Sequence, residues 1–309
     1  MTASSVGSGH APAVARGVKL RRGRGWRELE AWLYVLPGLA VFAVFIAYPI
    51  TANIVASLFG PHGDVTMANY RQASGDAVFW TAMRNSAVWV VLCVVFEAAI
   101  GFVLALAIEM YIPRGRVVFR TLLFLPMVIT PSVIALVFST IYAPDYGLLF
   151  GMFDSVGLGG HFPAILGDPA TATYGVIAVN VWQWSGFFVL MYCVGLTQID
   201  RELLAAAAID GAVGFARVRY VIWPLLYPVT TSLVVLGTIQ ALQQFPLIFL
   251  MTEGGPADST QTLATYIFQT GFVLNEMHYA SAVAVVLFVL SLALIVVQYR
   301  LGRERRAHA

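Results

Sequence analysis

Long runs without a charged residue dominate this sequence and limit what it can fold into. Arg84 and Glu109 bound one such run, which is interrupted only by Glu97. The other five are 23 to 33 residues long and occupy positions 31–63, 121–144, 169–199, 220–252 and 277–299. A helix needs about 20 apolar residues to cross a bilayer. The runs therefore predict an all-α, polytopic membrane protein with six transmembrane helices, at about residues 31–58, 84–108, 120–142, 174–197, 221–250 and 278–300.

The composition agrees with that prediction. Hydrophobic residues make up 59% of the 309 residues and charged residues only 11%, whereas soluble domains carry about 25% charged residues. A soluble chain of this length needs a polar shell that these residues cannot supply. The composition argues against a nucleic-acid-binding domain, a disordered chain and most soluble enzymes. Cys93 and Cys193 both lie in apolar runs and predict neither a disulfide nor a metal site.

Most lysine and arginine residues fall on one side of the six predicted helices. Arg71 and Arg84 are the only two of the 18 on the other side. By the positive-inside rule, the basic side is cytoplasmic and both termini are cytoplasmic. The first apolar run is too long for a cleaved signal peptide, so we expect the first helix to remain as an anchor. The predicted organisation is a basic cytoplasmic tail at 1–30 (disordered over 1–15), a six-span transmembrane domain at 31–300, and a cytoplasmic tail at 301–309.

Motifs for catalysis and nucleotide binding are missing from the sequence. The single lysine, Lys19, is not part of a phosphate-binding loop, and neither H-E-x-x-H nor G-x-S-x-G occurs. We therefore predict no catalytic residue, no metal ligand and no cofactor bound by this chain. If ATP drives its activity, the ATPase belongs to another chain.

The loop between the fourth and fifth predicted helices, residues 198–223, has the pattern of a short surface helix. Asp200 can cap the start of this helix, with Glu202 near the positive end of its dipole. Leu203 to Ile209 are strong helix formers, and Gly211 can end the helix in a left-handed conformation. Pro224 is expected to end a second short segment and start the next span. The alanine-rich face suits close packing into a groove of another protein, although an interfacial linker without a partner would show the same pattern.

This loop resembles the cytoplasmic motif of inner-membrane permeases in binding-protein-dependent ABC importers. That motif reads Glu-Ala-Ala, three residues, Gly, nine residues, Ile, one residue, Leu-Pro. Ala206, Ala207, Asp210, Gly211 and Pro224 fall in register with it. The resemblance implies that the loop is the coupling segment that docks into a cleft on the ATPase.

The loop departs from the family motif at three positions, and before the motif Asp200 stands where the family often has proline. Ala205 stands where the motif has glutamate, and Val221 and Trp223 stand where it has Ile and Leu. The missing glutamate removes one potential ion pair with the ATPase, while the packing role is unaffected.

Further segments resemble the sugar-type permeases of the maltose and glycerol-3-phosphate class. They are Asn69-Tyr70, Phe79-Trp80 with Asn85, Leu125-Pro126, 144–149, 252–256, Ser259-Thr260 and 279–282. The resemblance implies a subunit of an ATP-driven importer in the bacterial inner membrane, with a carbohydrate as solute or, alternatively, glycerol 3-phosphate or a glycerophosphodiester. It also implies a second permease chain, two copies of an ATPase that bind ATP and Mg²⁺, and an extracytoplasmic solute-binding protein.

Amide side chains in two predicted helices are candidates for the substrate pathway. Asn180, Gln183 and Trp184 have the i, i+3, i+4 spacing that places them on one helix face. Amides donate to and accept from sugar hydroxyls, but they also join helices inside a membrane. Both interpretations remain open. The same spacing, followed by an aromatic ring that can stack on a sugar, recurs in Gln240, Gln243, Gln244 and Phe245.

Glu97 is the only acidic residue well inside a predicted span. A cation-coupled secondary transporter would use such a carboxylate, and this is the alternative from another functional class. A membrane enzyme or scaffold is a third hypothesis, against which the absence of clustered histidines or paired carboxylates counts. A structural carboxyl group at a helix contact would also explain Glu97.

Overall fold

The computed structural model describes residues 24–60, 63–112 and 114–306, and most of these residues are helical. Part of the predicted N-terminal tail (1–23) and of the C-terminal tail (307–309) lies outside the described residues. One isolated bridge, between Phe59 and Val65, is the only β pairing in the described part. The α-helices are α1 Arg24–Phe42, α2 Tyr48–Ser57, α3 Ala68–Gly75, α4 Ala77–Tyr111, α5 Arg116–Val128, α6 Pro131–Ile141, α7 Leu148–Ser155, α8 Ala172–Thr197, α9 Arg201–Ile209, α10 Phe215–Arg217, α11 Trp223–Leu242, α12 Pro246–Thr252, α13 Leu263–Phe268 and α14 Met277–Arg306.

Within the described residues, five helical segments are long and apolar enough to cross a membrane. The pair formed by α5 and α6 gives a sixth if the two helices count as one span. This agrees with the predicted all-α fold and its six apolar spans. The five unbroken segments are Trp32–Ser57, Ala77–Tyr111, Ala172–Thr197, Phe215–Leu242 and Met277–Gly302.

The third predicted span, 120–142, is not one straight helix. It breaks between α5 and α6, whose axes differ by 93°. Thr130 precedes Pro131, and a residue before proline is pushed out of the helical region. Thr130 accordingly has an extended backbone, and Pro131 opens α6 at its first turn. The expectation of a continuous helix is therefore wrong at this point.

The fifth predicted span, 221–250, also differs from expectation at both ends. Its helix already begins at Phe215 and runs through a π-helical turn at Val218–Ile222 into α11. Pro224 therefore does not end a segment. Proline lacks a backbone N–H and crowds the carbonyl of the preceding turn, and the wider π-helical turn before Pro224 accommodates it. At the other end α11 stops at Leu242, and Pro246 starts the separate short helix α12.

The chain divides into two units, Met1–Ala52 and Asn53–Ala309. In the first unit, α1 begins inside the segment predicted as a tail, and a π-helical turn at Ala43–Ala47 joins it to α2. Its side chains from Trp32 onward are largely exposed and apolar, as expected for a helix that faces lipid.

In the second unit, α4 and α8 form the centre of the packing, with α5 and α11 against them. Glycines permit this close approach. A Cβ atom at Gly101 would lie 2.5 Å from the Cβ of Phe188, and one at Gly186 would lie 1.9 Å from the backbone oxygen of Leu123. Small residues at helix contacts are typical of membrane helix packing.

Candidate coupling loop and translocation site

The loop at 198–223 forms the short helix that the sequence predicts. Asp200 caps α9, and its Oδ1 accepts a hydrogen bond of 2.9 Å from the backbone N–H of Glu202. Gly211 has a φ of +83°, and the N–H of Ala212 donates to the carbonyl of Ala207 at 2.8 Å. These contacts close the helix end in a left-handed turn. The expected cap, helix and glycine turn are confirmed.

Several apolar side chains of this loop are uncovered. Ile209 is 87% exposed and Phe215 is 80% exposed, with Leu203 and Val213 also exposed. A surface apolar cluster of this kind on a loop usually marks an interaction site. Of the predicted coupling residues, Ala207 is half-buried, whereas Glu202, Ala205, Ala206, Asp210, Gly211 and Pro224 are exposed.

Asn180 lies at the centre of a buried polar network between α4, α8 and the end of α11. Its Nδ2 donates to Glu97 Oε1 at 3.0 Å. Its Oδ1 accepts from Gln244 Nε2 at 2.6 Å and from Gln240 Nε2 at 3.5 Å. Asn180 and Glu97 are both fully buried. Three predicted pathway amides thus contact one another, and in this structure they join neighbouring elements.

Gln183 and Trp184 follow Asn180 on α8 but make other contacts. Gln183 is buried, and its Nε2 donates to the backbone oxygen of Ile129 at 3.1 Å, at the break between α5 and α6. The ring of Trp184 meets that of Phe187 edge to face. Gln183 Oε1 and the indole N–H of Trp184 have no hydrogen-bond partner among the described residues.

The helical face predicted for Gln240, Gln243 and Gln244 does not exist, because α11 ends at Leu242. Past this end Gln244 turns inward to Asn180, whereas Gln243 is exposed. The side-chain amide of Gln243 makes no hydrogen bond within the described part of the chain, although its backbone N–H donates to the carbonyl of Ile239 at 3.2 Å. Phe245 stacks on Phe249 with their ring centres 5.1 Å apart. The break therefore presents an exposed side-chain amide two residues before a ring that packs against Phe249 and Phe268.

The loop between α12 and α13 is held by side chains from other helices, a role that the sequence did not reveal. Asn85 Nδ2 donates to the backbone oxygens of Ser259 at 2.8 Å, Gln261 at 3.0 Å and Asp258 at 3.3 Å. Asp258 itself has a positive φ of 57°. Such a backbone persists only when its surroundings hold it. The resemblance had pointed to Asn85, but only as a family residue at the entry to a helix.

Asp76 joins three helices, a contact that sequence reasoning missed. It caps α4 through the backbone N–H of Val78 at 2.8 Å, and the hydroxyls of Tyr266 and Tyr279 both donate to its Oδ2. Burial by itself raises the pKa of Asp76, but these hydrogen bonds outweigh it and lower the pKa below its ordinary value. Burial, followed by the bond to Asp76, raises the pKa of Tyr266 to about 12. An aspartate directly before a helical run was the available signal.

Comparison with known proteins supports the resemblance read from the loop. The family described as the inner membrane component of binding-protein-dependent transport systems matches residues 97–307. The probable ABC transporter permease protein YurN of Bacillus subtilis (strain 168) is 33% identical, over 90% of this chain and 98% of its own. The lactose transport system permease protein LacF of Rhizobium radiobacter is 31% identical, over 90% and 96%.

A solved structure shares the fold. It is the crystal structure of a bacterial ABC transporter involved in the import of the acidic polysaccharide alginate. One of its chains superposes with a TM-score of 0.82 at 22% identity, covering 91% of this chain and 99% of that chain. The buried helical core, the capped loop and these matches lead to one assignment. This chain belongs to the family of inner membrane permease components of binding-protein-dependent ABC transporters.

Proposed function

We propose that this chain is a permease subunit of an ATP-driven importer whose solute is a carbohydrate. The observation that carries the proposal is the capped helix at 201–209 in a loop with exposed apolar side chains, in a chain of the permease family. The similarity to a lactose permease component supports a sugar as the solute. Arg71 and Arg84 are the only cations on the side opposite the coupling loop in the predicted topology, which favours a neutral sugar over a phosphodiester.

The proposal includes an ATPase that docks on the coupling loop. Ile209 and Phe215 would enter its cleft, with Ala206 allowing close approach. ATP and Mg²⁺ would be bound by that ATPase, in two copies, and a second permease chain would complete the pathway. An extracytoplasmic binding protein would deliver the solute to the opposite side. Coupling requires that ATP and the loaded binding protein favour the same conformational state.

Within the pathway we assign the contact with the solute to Gln243 and Phe245. Both lie at the break in the fifth span, where the side-chain amide of Gln243 is exposed and the half-buried ring of Phe245 packs against Phe249 and Phe268. Asn180, Gln240 and Gln244 would hold that break in place, since their amides already bond to one another. Gln183 and Trp184, on α8, would line the part of the pathway next to this break.

Affinity purification tests the docking of an ATPase. Tagged full-length chain, expressed in its native host, is purified in detergent, and the proteins that accompany it are identified by mass spectrometry. Gly211→Asp should reduce the recovered ATPase, because position 211 needs a left-handed backbone that disfavours other residues. Gly151→Asp is the matched control, since Gly151 is also exposed and without neighbours within 4 Å. Transport by the chain alone in liposomes without ATP would contradict the proposal.

Uptake measurements test the solute contact. Gln243→Ala should weaken sugar uptake by about tenfold, as expected for loss of hydrogen bonds worth about 1.4 kcal/mol. Gln72→Ala, at another exposed glutamine, is the control and should leave uptake unchanged. Equal uptake by both variants at limiting solute would remove Gln243 from the pathway.

A further inference from the structure

A cavity of about 690 Å³ lies between the coupling helix α9 and the ends of the spans on the same side. The end of α4, the start of α5, the end of α8 and the start of the fifth span close it on the other sides. Its polar lining is mostly cationic, with Arg116, Arg201 and Arg217. Leu204 and Ile222 are among its apolar residues. The cavity therefore combines positive charge with an apolar wall.

Glu109 is the only carboxylate in this lining, and it is already paired. It forms ion pairs with Arg116, at 3.2 Å, and with Arg120. Arg116 also donates from Nε to the carbonyl of Ile112 at 2.6 Å. These contacts leave no acidic group of the lining for Arg201 or Arg217.

Arg217 is half-buried, and its side chain has no ion pair or hydrogen bond within the described residues. Its Nε is buried without any acceptor. Burying part of a charged group without a partner costs free energy, and an anion bound in the cavity would offset that cost. Guanidinium groups match phosphate oxygens in geometry and charge.

We propose that this cavity binds a phosphate group through Arg217 and Arg201. On the topology proposed above, it opens at the cytoplasmic surface of the bilayer, where basic pockets between helices bind the headgroups of acidic lipids. The apolar wall suits the first carbons of an acyl chain. The phosphate belongs either to a phospholipid headgroup or to a free phosphate ion. The basic tails of this chain carry the same sign of charge as the cavity and are unsuited to fill it.

Native mass spectrometry tests the site on the full-length chain, purified with the subunits that accompany it and then stripped of lipid. The arms of the experiment are phosphatidylglycerol, diacylglycerol with the same acyl chains, and inorganic phosphate. Phosphatidylglycerol should bind and diacylglycerol should not, because only the former carries the phosphate. Arg217→Gln should weaken binding by about tenfold or more, and Arg217→Lys should retain part of it.

Arg219→Gln is the matched control, because Arg219 is exposed, lies over the ring of Tyr220 and is not part of the cavity lining. It should bind phosphatidylglycerol as wild type does. If inorganic phosphate binds with the same dependence on Arg217 and the lipid does not, the phosphate site stands and its source is the free ion. Equal binding of diacylglycerol and phosphatidylglycerol, or wild-type binding by Arg217→Gln with an unchanged unfolding temperature, would overturn the proposal. None of these lipid-binding results tests whether the chain is an importer subunit, which the ATPase purification tests separately.

Discussion

Gln183 donates a hydrogen bond of 3.1 Å from Nε2 to the backbone oxygen of Ile129, the residue at which the third span breaks. A helix that breaks inside a membrane frees backbone groups, and these need partners from neighbouring helices. Gln183 is such a partner, because it reaches from α8 to the break. The 93° bend between α5 and α6 is thus supported by a side chain more than 50 residues away in the sequence.

Replacement of Gln183 by leucine should therefore destabilise the protein by about 1–3 kcal/mol, the cost of leaving the part-buried carbonyl of Ile129 without a donor. Thermal unfolding in detergent measures the change, and hydrogen exchange should quicken around residues 126–134. Gln243→Leu is the control, because that amide is exposed and has no hydrogen bond in the described part of the chain. The same loss of stability in both variants would contradict the assignment.

Glu97 contacts Asn180 inside the membrane, where a charge is costly. Glu97→Gln keeps the shape and an acceptor for Asn180, so we expect unchanged or higher stability and continued ATP-dependent uptake. Glu97→Ala leaves a cavity and an unpaired amide, so stability should fall by about 2–4 kcal/mol. Unfolding and uptake assays on both variants provide the measurement. Loss of all uptake in Glu97→Gln, at normal expression, would instead favour a proton-coupled transporter.

Asn85 holds three carbonyls of the loop between α12 and α13. Asn85→Ala should loosen this loop, and its amides around residues 254–262 should exchange with solvent about tenfold faster or more, since one lost hydrogen bond of about 1.4 kcal/mol already gives that factor. Hydrogen exchange followed by mass spectrometry measures the effect. Ser74→Ala, at an exposed serine bonded to Arg71, serves as the control. Unchanged exchange in the loop would show that Asn85 is dispensable there.

Asp76 should give the protein a stability that depends on acidic pH. Its pKa is lower in the folded chain than in the unfolded chain, so the stabilisation is fully present above the unfolded value, about 3.9. It is lost as the pH falls through the folded pKa. The unfolding temperature of wild type should consequently fall more steeply below about pH 4 than that of Asp76→Asn. Tyr266→Phe, which removes one donor, should lie between the two.

The control for this pH series is Asp168→Asn, at an exposed carboxylate whose side chain accepts from the backbone of Ala170. It should follow the wild-type curve. Identical slopes for wild type and Asp76→Asn would show that the contacts with Tyr266 and Tyr279 do not contribute to stability in acid.

The sequence alone predicts the spans well because their signal is local. An uncharged run as long as 277–299 has few alternatives to a membrane helix. The capped helix at 201–209 is equally local, since Asp200 and Gly211 act on residues within a few positions. The breaks are harder to predict. Pro131 and Pro246 mark where a helix can end, but prolines also occur inside the helices here, as Pro126 and Pro228 do.

The hydrogen-bond partners of buried polar groups cannot be predicted from the sequence, for a different reason. The spacing of Asn180 and Gln183 correctly placed both on one helix, yet they bond to different elements. Asn180 bonds to α4 and to the residue Gln244 past the end of α11, whereas Gln183 bonds to the break at Ile129. Which helix a side chain meets depends on long-range packing, and no spacing within one segment contains that information. The same applies to Asp76, whose partners lie 190 and 203 positions away.

The helical run from Phe215 to Leu242 joins the coupling loop directly to the residues at the break in the fifth span. Its 28 residues correspond to a rod about 42 Å long at a rise of about 1.5 Å per residue. A rod of this length amplifies rotation, since a tilt of about 5° at Phe215 displaces its far end by roughly 4 Å. Gln243 thus lies just past the far end of a helical run that begins at the exposed surface of the loop, and the π-helical turn at Val218–Ile222 and Pro228 are the points at which that run can bend.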